Sequence, residues 1–313
     1  MRNAGMELKE ARKPCTFHHT LTEIPVMRAL IAVCVCLMLC IPRSGYSQVP
    51  HNTLKITFVG NAGFLVASSK HKVLIDALYS GVAAAPQHVT EDIVNGNPPF
   101  DSVDAYLITH YHKDHCDPGL IYQCLTKDPT MILAASKPAF IFMNGDTYEF
   151  ILRKKQFVEL TPEVNHAVFK TIHGVPVKAF GLKHGAYYRE GIDMNESMLN
   201  AGLLVDMDGI NVFHSGDIKI DAFQSYLAAG NVWSDRIDVA LLCYGLFESG
   251  ESDLDYIVRT IHPKHIVVMH VPADQIEACA AKIDQMKTRF PQIDWLRHSL
   301  DSTTISVSTV GER

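Results

Sequence analysis

The sequence predicts a layered α/β domain over about residues 49–313. Three observations carry this expectation. Short, apolar, β-branched segments recur along the chain. Stretches with helical spacing separate the later ones. The order runs from strands to alternating strands and helices, then to strands with helices again, with no short-period repeat or low-complexity linker.

The elements follow in order. "LKITFVGNAGFLVASS" (54–69) reads as strand, tight turn and strand, with Gly60 and Gly63 permitting the turn. "HKVLIDAL" (71–78) is a third strand ending at Asp76, and the Pro-, Gly- and Asn-rich residues 80–100 read as a loop. "SVDAYLITH" (102–110) is a buried strand. In "DPGLIYQCLTKDP" (117–129), Asp117 caps a short helix and Pro118 suits its first turn. "MILAASKPAFIFMNG" gives a strand to about Ala135 and then a helix. Residues 196–217 form a hairpin turning at Asp208-Gly209. "DVALLCYG" and "HIVVMHV" are buried strands, and "DLDYIVRTIH" is a helix. A second helix follows in "PADQIEACAAKIDQMKTRF", where Ile276, Cys279, Ile283 and Met286 make an apolar stripe expected in the core. "STTISVSTV" closes the chain as an edge strand.

The chain has 313 residues, 47% of them hydrophobic, which supports a sizeable core and excludes intrinsic disorder. Its formal charge is −6 with no Lys/Arg run, so nothing points to nucleic acid. Residues 29–41, "ALIAVCVCLMLCI", are an unbroken apolar run of 13 residues. That is short of the ~20 residues a membrane span needs and suits the core of a signal peptide. Met27-Arg28 supplies a positive start, and "PRSGYSQ" places Ser47 as the last residue before cleavage. Residues 27–48 are therefore expected to be a signal peptide, or an anchor if uncleaved, and residues 1–26 an unstructured upstream extension. The mature protein is expected in the periplasm or cell envelope, without a stable membrane span. Six of the 28 basic and three of the 34 acidic residues lie in residues 1–48, so the remainder carries a formal −9. Such a chain does not draw polyanions by long-range attraction. Cys116, Cys124, Cys243 and Cys279 show no CxxC pairing and are expected to be small buried apolar residues rather than a disulfide framework.

The specific chemistry lies in "LITHYHKDHCDP" (107–118), which places His110, His112, Asp114 and His115 within six positions. In an extended segment, alternate side chains point the same way, so His110 and His112 can share one metal. Asp114 and His115, further round the turn, can face a second. Imidazole and carboxylate suit Zn²⁺, Mn²⁺ or Fe²⁺. Further ligands stand just beyond other strands: His184 after "VPVKAFGLK", Asp217 after "INVFHSG", and His270 after "HIVVM". Sites in α/β sheets gather at the C-terminal strand edge, where all four segments can converge.

With "THYHKDH", His184, "SGD" with Asp217, and His270 in that order, the chain resembles the metallo-β-lactamase superfamily. The resemblance extends through "VGNAGFLV" and "VLIDAL" and spans roughly residues 54–271. It implies a four-layer αββα sandwich carrying two divalent metal ions, zinc foremost and manganese or iron as alternatives. His110, His112 and His184 would hold the first ion. Asp114, His115 and His270 would hold the second, with Asp217 bridging. It further implies a hydrolase in which a metal-bridged hydroxide, oriented by the catalytic Asp114, attacks an ester, lactone or phosphodiester bond of a small-molecule substrate. Two-zinc β-lactamases carry a Cys where Asp217 stands, and flavin-linked di-iron members carry a Glu where His112 stands. The opening "GNAGFLV" and the short "HSGD" look most like the branch of ascorbate-6-phosphate lactonase and the N-acyl-phosphatidylethanolamine phospholipases. Many of its members have a His where this chain has Asn61. An exported β-lactamase or acyl-homoserine-lactone-type lactonase is the neighbouring reading. A non-catalytic metal-binding sensor or scaffold is the reading from another class.

Asp76 is expected either to hydrogen-bond a ligand histidine or to shape a turn. His214 is expected to touch substrate or to brace the site, while His262 and His265 belong to a turn or the surface. Tyr187, Tyr188, Tyr244 and Phe247 lie near the rim, with core packing as the default. N-terminal sequencing of exported protein is expected to read from about Gln48. A protein beginning at Met1 would refute the leader.

Overall fold

The computed structural model describes residues 51–80, 85–146, 153–231 and 233–308; the leader and the upstream extension lie outside them. Two seven-stranded sheets form the centre. The first has the order β16-β1-β2-β3-β4-β5-β6. Its strands are β1 (His51–Gly60), β2 (Gly63–Ala67), β3 (Lys72–Ile75), β4 (Ala105–Leu107), β5 (Ile132–Ala135), β6 (Phe157–Glu159) and β16 (Ser302–Ser308). The second has the order β15-β14-β13-β12-β11-β8-β7. It is built from β7 (Ala167–Ile172), β8 (Val175–Lys183), β11 (Leu199–Met207), β12 (Ile210–His214), β13 (Val239–Cys243), β14 (His265–Met269) and β15 (Ile293–Asp294). A small hairpin, β9 (Tyr188–Arg189) with β10 (Ile192–Asp193), stands apart.

Alternation along the strands explains the layering. Leu54, Ile56, Val73, Ile75, Val205, Val212 and Leu241 point between the sheets and form one core cluster. The opposite faces each carry helices. α1 (Gln87–Asn95), α2 (Pro118–Lys127) and α3 (Lys137–Asp146) bury Val89, Ile93, Ile121 and Met143 against the first sheet. α4 (Ile220–Ala228), α5 (Glu251–Ile261) and α6 (Ile276–Lys287) bury Phe223, Ile257 and Ile283 against the second. The layers are thus α, β, β, α. Among the described residues no helix is long and apolar enough to cross a membrane.

Most expected elements are present. Asp117 caps α2 by accepting a hydrogen bond from Leu120 N at 2.9 Å. The hairpin turns at Asp208 and Gly209 with φ of 56° and 86°. β16 is an edge strand paired only with β1. Two expectations need correction. Residues 80–100 are not all loop, because α1 lies within them. Pro86 precedes this helix and Gly96 ends it at φ 64°, so the same residues that suggested a loop are its start and stop signals. The α6 stripe is also only partly core: Cys279, Ile283 and Met286 are buried, whereas Ile276 is 43% exposed.

Strand direction decides where the chemistry falls. β3, β4, β5 and β6 run parallel, as do β12, β13, β14 and β15. β8 is antiparallel to β11, which is antiparallel to β12, so β8 and β12 end on the same edge. By the same argument β1 ends beside β3. The residues following β1, β3, β4, β8, β12 and β14 therefore meet along one rim. Leu241→Ala, in the fully buried layer between the sheets, is expected to cost about 2–5 kcal/mol in urea unfolding, which would show how strongly that layer holds the sandwich together.

Candidate metal centre

The rim brings together every ligand expected from the sequence. After β4 the chain runs extended through His110 to His112, then turns, with His115 N and Cys116 N both donating to His112 O at 2.9 and 2.8 Å. His110 Nε2 lies 3.2 Å from His112 Nδ1 and 3.2 Å from His184 Nε2. This is the first triad. Asp114, His115 and His270 form a second, with His270 Nε2 at 3.2 Å and His115 Nε2 at 3.9 Å from Asp114 Oδ2. Asp217 stands between them: its Oδ2 is 3.3 Å from His184 Nε2 and 3.7 Å from His270 Nε2.

Tracing the protons shows what this arrangement lacks. Asp76, fully buried, accepts from Thr109 N at 2.9 Å, from the Thr109 hydroxyl at 2.6 Å and from His115 Nδ1 at 2.8 Å. With its proton given to Asp76, the Thr109 hydroxyl can only accept from His110 Nδ1, 3.0 Å away. His184 Nδ1 donates to Gly185 O at 2.8 Å, an oxygen that also accepts from Asn195 Nδ2 at 2.9 Å. In the neutral rings, Nε2 of His110, His115 and His184 is therefore bare. Bare nitrogens of His110 and His184 at 3.2 Å make no hydrogen bond with one another, and His115 Nε2 is buried with no hydrogen-bond partner. These atoms want a cation. Two nitrogens held tetrahedrally at about 2.0–2.1 Å from a zinc ion lie about 3.3–3.4 Å apart, close to the spacing found here.

Electrostatics favour neutral imidazoles at His110 and His112 and ionised carboxylates at Asp114 and Asp217. Burial, with the neighbouring rings of His115 and His184, holds His110 well below the ordinary imidazole range. Burial and His184 take His112 down to about 4. For Asp217, burial acts to raise the carboxyl, but the close approach of His184 and the charge of His270 outweigh it and hold the group well below its usual range. Asp114 is lowered in the same way by His270 and His115 against its burial. His270 is the exception. Burial opposes its protonation, yet the Asp114 hydrogen bond and the Asp217 charge lift it to about 9, so without metal its proton helps hold the two carboxylates together.

Asp76, Asn61 and His214 also pack at the rim. Asp76 does both things expected of it, since it binds His115 and sits at φ 46° in a turn. The Asn61 amide donates to Asp114 O at 3.0 Å and approaches Oδ2 at 3.3 Å, so it positions the second triad. His214 touches no open space: Nε2 donates to Ala62 O at 2.9 Å and Nδ1 accepts from Gly216 N at 3.1 Å, which makes it a brace. Tyr244 and Phe247 are core, but Tyr187 and Tyr188 are 62% and 68% exposed, beside His184. His262 and His265 are exposed, as expected.

Several functional residues escaped the sequence reading. Thr109 links Asp76 to His110, and Asn195 fixes the carbonyl that orients His184. Asn200 accepts from Asp217 N at 3.0 Å; Gly216, at φ 65°, permits this close approach as its place before Asp217 suggests, because a Cβ there would stand 2.1 Å from Asn200 Oδ1. Cys243, expected to be an inert apolar residue, donates its thiol to Asp217 Oδ1 at 3.3 Å and leaves Oδ2 facing the triads. Asn195, Asn200 and Cys243 stand in no local motif, and Thr109 opens "THYHKDH" without being a ligand. The signal available was position, since Thr109 precedes the ligand run and Cys243 ends a strand.

This fold and this rim define a metal-dependent hydrolase. Residues 71–289 match the family model described as a beta-lactamase superfamily domain. A metal-dependent hydrolase of Pyrococcus furiosus is 30% identical over 222 residues, covering 69% of this chain and 84% of that protein. A metal-dependent hydrolase of Methanosarcina mazei is 27% identical over 245 residues, covering 74% and 93%. The chain belongs to the metallo-β-lactamase superfamily. Among solved structures, a metallo hydrolase from Ignicoccus hospitalis shares the fold with a TM-score of 0.55 at 17% identity, over 81% of this chain and 98% of that one. An isothiocyanate hydrolase from Delia radicum gut bacteria does so with a TM-score of 0.52 at 16% identity, over 81% and 100%.

Thr109→Val keeps the shape of the side chain but removes the hydroxyl between Asp76 and His110. It is expected to weaken metal binding about 10–100-fold in a competition titration with a chromogenic chelator. Unchanged affinity would show that the relay does not set the His110 tautomer.

Proposed function

We propose that this protein hydrolyses an ester, lactone or phosphodiester bond of a small-molecule substrate with the help of two divalent cations, zinc fitting the nitrogen-rich ligand set best. The observation that carries this reading is the pair of triads joined at Asp217 Oδ2. His110, His112 and His184 would hold one cation, and Asp114, His115 and His270 the other. When bound, such a pair supplies Lewis acidity, lowering the pKa of water towards about 7 and stabilising attacking and leaving oxygens.

The chain's own residues do the remaining work. Asp217 faces both triads with one oxygen because Cys243 occupies the other. Asp114, held by Asn61 and His270, orients the attacking water through its carboxylate. Asp76 keeps His115 in the tautomer that turns Nε2 towards the centre. Export through the leader at residues 27–48 belongs to the same proposal and would place the reaction in the cell envelope.

Purified protein is expected to carry about two divalent ions per chain by elemental analysis and to lose activity on chelation, with recovery on adding zinc back. His112→Ala is expected to lower kcat/KM about 100-fold or more on whichever ester, lactone or phosphodiester is turned over. Metal-free protein with full activity would refute the reading. Rapid cleavage of a chromogenic β-lactam, with no turnover of the other three classes, would replace the proposed bond.

A further inference from the structure

A cavity of about 420 Å³ opens on the His270 side of the metal centre. His270 and Asn61 belong to both, so whatever fills the cavity lies against the second triad. The size is in the range that holds a small organic ligand. Its lining mixes polar and apolar surface, and the large apolar side chains in it are Phe58, Met269, Trp295 and Ile276. Ile276 is informative. It continues the buried stripe of α6 in sequence, yet it is 43% exposed and lines this cavity, so folding alone leaves it uncovered.

The charge at the cavity mouth is already matched. Arg297 is the one Lys or Arg among the lining residues; it lies over the Trp295 ring at 4.8 Å and pairs with Asp284 at 3.3 Å. A substrate with a permanent charge on its arm gains little there. An uncharged, flexible hydrocarbon arm gains the burial of its methylenes against four large apolar side chains.

Resting on the hydrolase reading above, we propose that this cavity is the subsite for the apolar acyl arm of the substrate, and that the substrate is a carboxylic ester. In its hydrolysis the acyl–oxygen bond breaks and water supplies the new hydroxyl of the acid and the proton of the departing alcohol. The acid keeps the arm, so straight-chain carboxylates are product probes. Their carboxylates stand at the centre and their chains run into the cavity.

The test is calorimetric titration of the full-length, metal-loaded protein with butyrate, hexanoate and octanoate, in parallel with turnover of the matching p-nitrophenyl esters. The expected result is an affinity that rises roughly fourfold per methylene, the worth of burying one CH₂. In Ile276→Trp, which fills the cavity from a partly exposed position at the start of a helix, this dependence is expected to vanish at an unchanged melting temperature. Affinity independent of chain length, or a dependence that survives Ile276→Trp, overturns the subsite even if the esters are hydrolysed. Chain-length-dependent binding with no ester turnover supports the subsite and overturns the ester assignment. Absence of bound metal and of any hydrolysis counts against the hydrolase reading itself, and the binding series separates the two.

Discussion

Asp76 has no exposed surface and accepts three hydrogen bonds, two from Thr109 and one from His115. A buried carboxylate is tolerated only when its oxygens are met in this way. The consequence reaches beyond its own contacts. By taking the Thr109 hydroxyl proton, Asp76 makes that oxygen an acceptor for His110, and by binding His115 directly it fixes a second ring. One carboxylate thus sets one tautomer in each triad and turns both Nε2 atoms to the centre. His184 reaches the same state through a main-chain carbonyl. The cluster is therefore preorganised as a set of lone pairs turned towards a cation.

The ligands come from two separate sheets, so their spacing depends on how the sheets meet at the rim. Three hydrogen bonds tie them there: Ala201 N to Thr109 O and His270 N to Asn61 O, each 2.9 Å, and His214 Nε2 to Ala62 O, also 2.9 Å. The first two join a ligand, or the residue before one, to the opposite sheet, and the third joins the residue after Asn61 to the end of β12. Three non-glycine residues of the rim also have positive φ: Asn61 at 50°, Asp76 at 46° and His270 at 53°. Such conformations are disfavoured and persist where the surroundings over-determine them. Here each bends the chain at a strand end so that a side chain turns back towards the centre.

The sandwich was largely legible in the sequence, and so was the ligand set, for different reasons. Period-two alternation and the strong turn at Asp208-Gly209 are local signals, and "HYHKDH" concentrates four ligands in one turn. His184, Asp217 and His270 were readable because each follows a buried strand, and strand ends share an edge. What stayed hidden depends on tertiary contact. Thr109, Asn195 and Cys243 are ordinary residues whose roles exist only because a partner from another element or loop lies 2.6–3.3 Å away. The α1 helix was missed because its nine residues carry few apolar side chains between punctuating Pro and Gly. Ile276 was misplaced because periodicity reports which residues share a helix face. It does not report whether that face extends past the core onto a cavity.

Charge explains why the rim needs no buried Lys or Arg. Among the described residues, the ion pairs of the seven ligands are all between histidine and aspartate. Once cations displaced the His270 proton, the five imidazoles would be neutral, the two carboxylates would contribute two negative charges, and Asp76 behind them a third. Two divalent cations would leave the centre with a surplus of positive charge in a low-dielectric setting, where its influence on a developing oxyanion is strongest. An additional basic side chain would compete with the cations for Asp114 and Asp217. Residues 49–313 carry a formal charge of −9, so the rim, with its cations, would contrast with the rest of the domain in favouring negative charge. A substrate that enters with a neutral bond, and becomes negative only on attack, gains from that field in the transition state more than in the ground state, which is the condition for rate acceleration rather than tight binding.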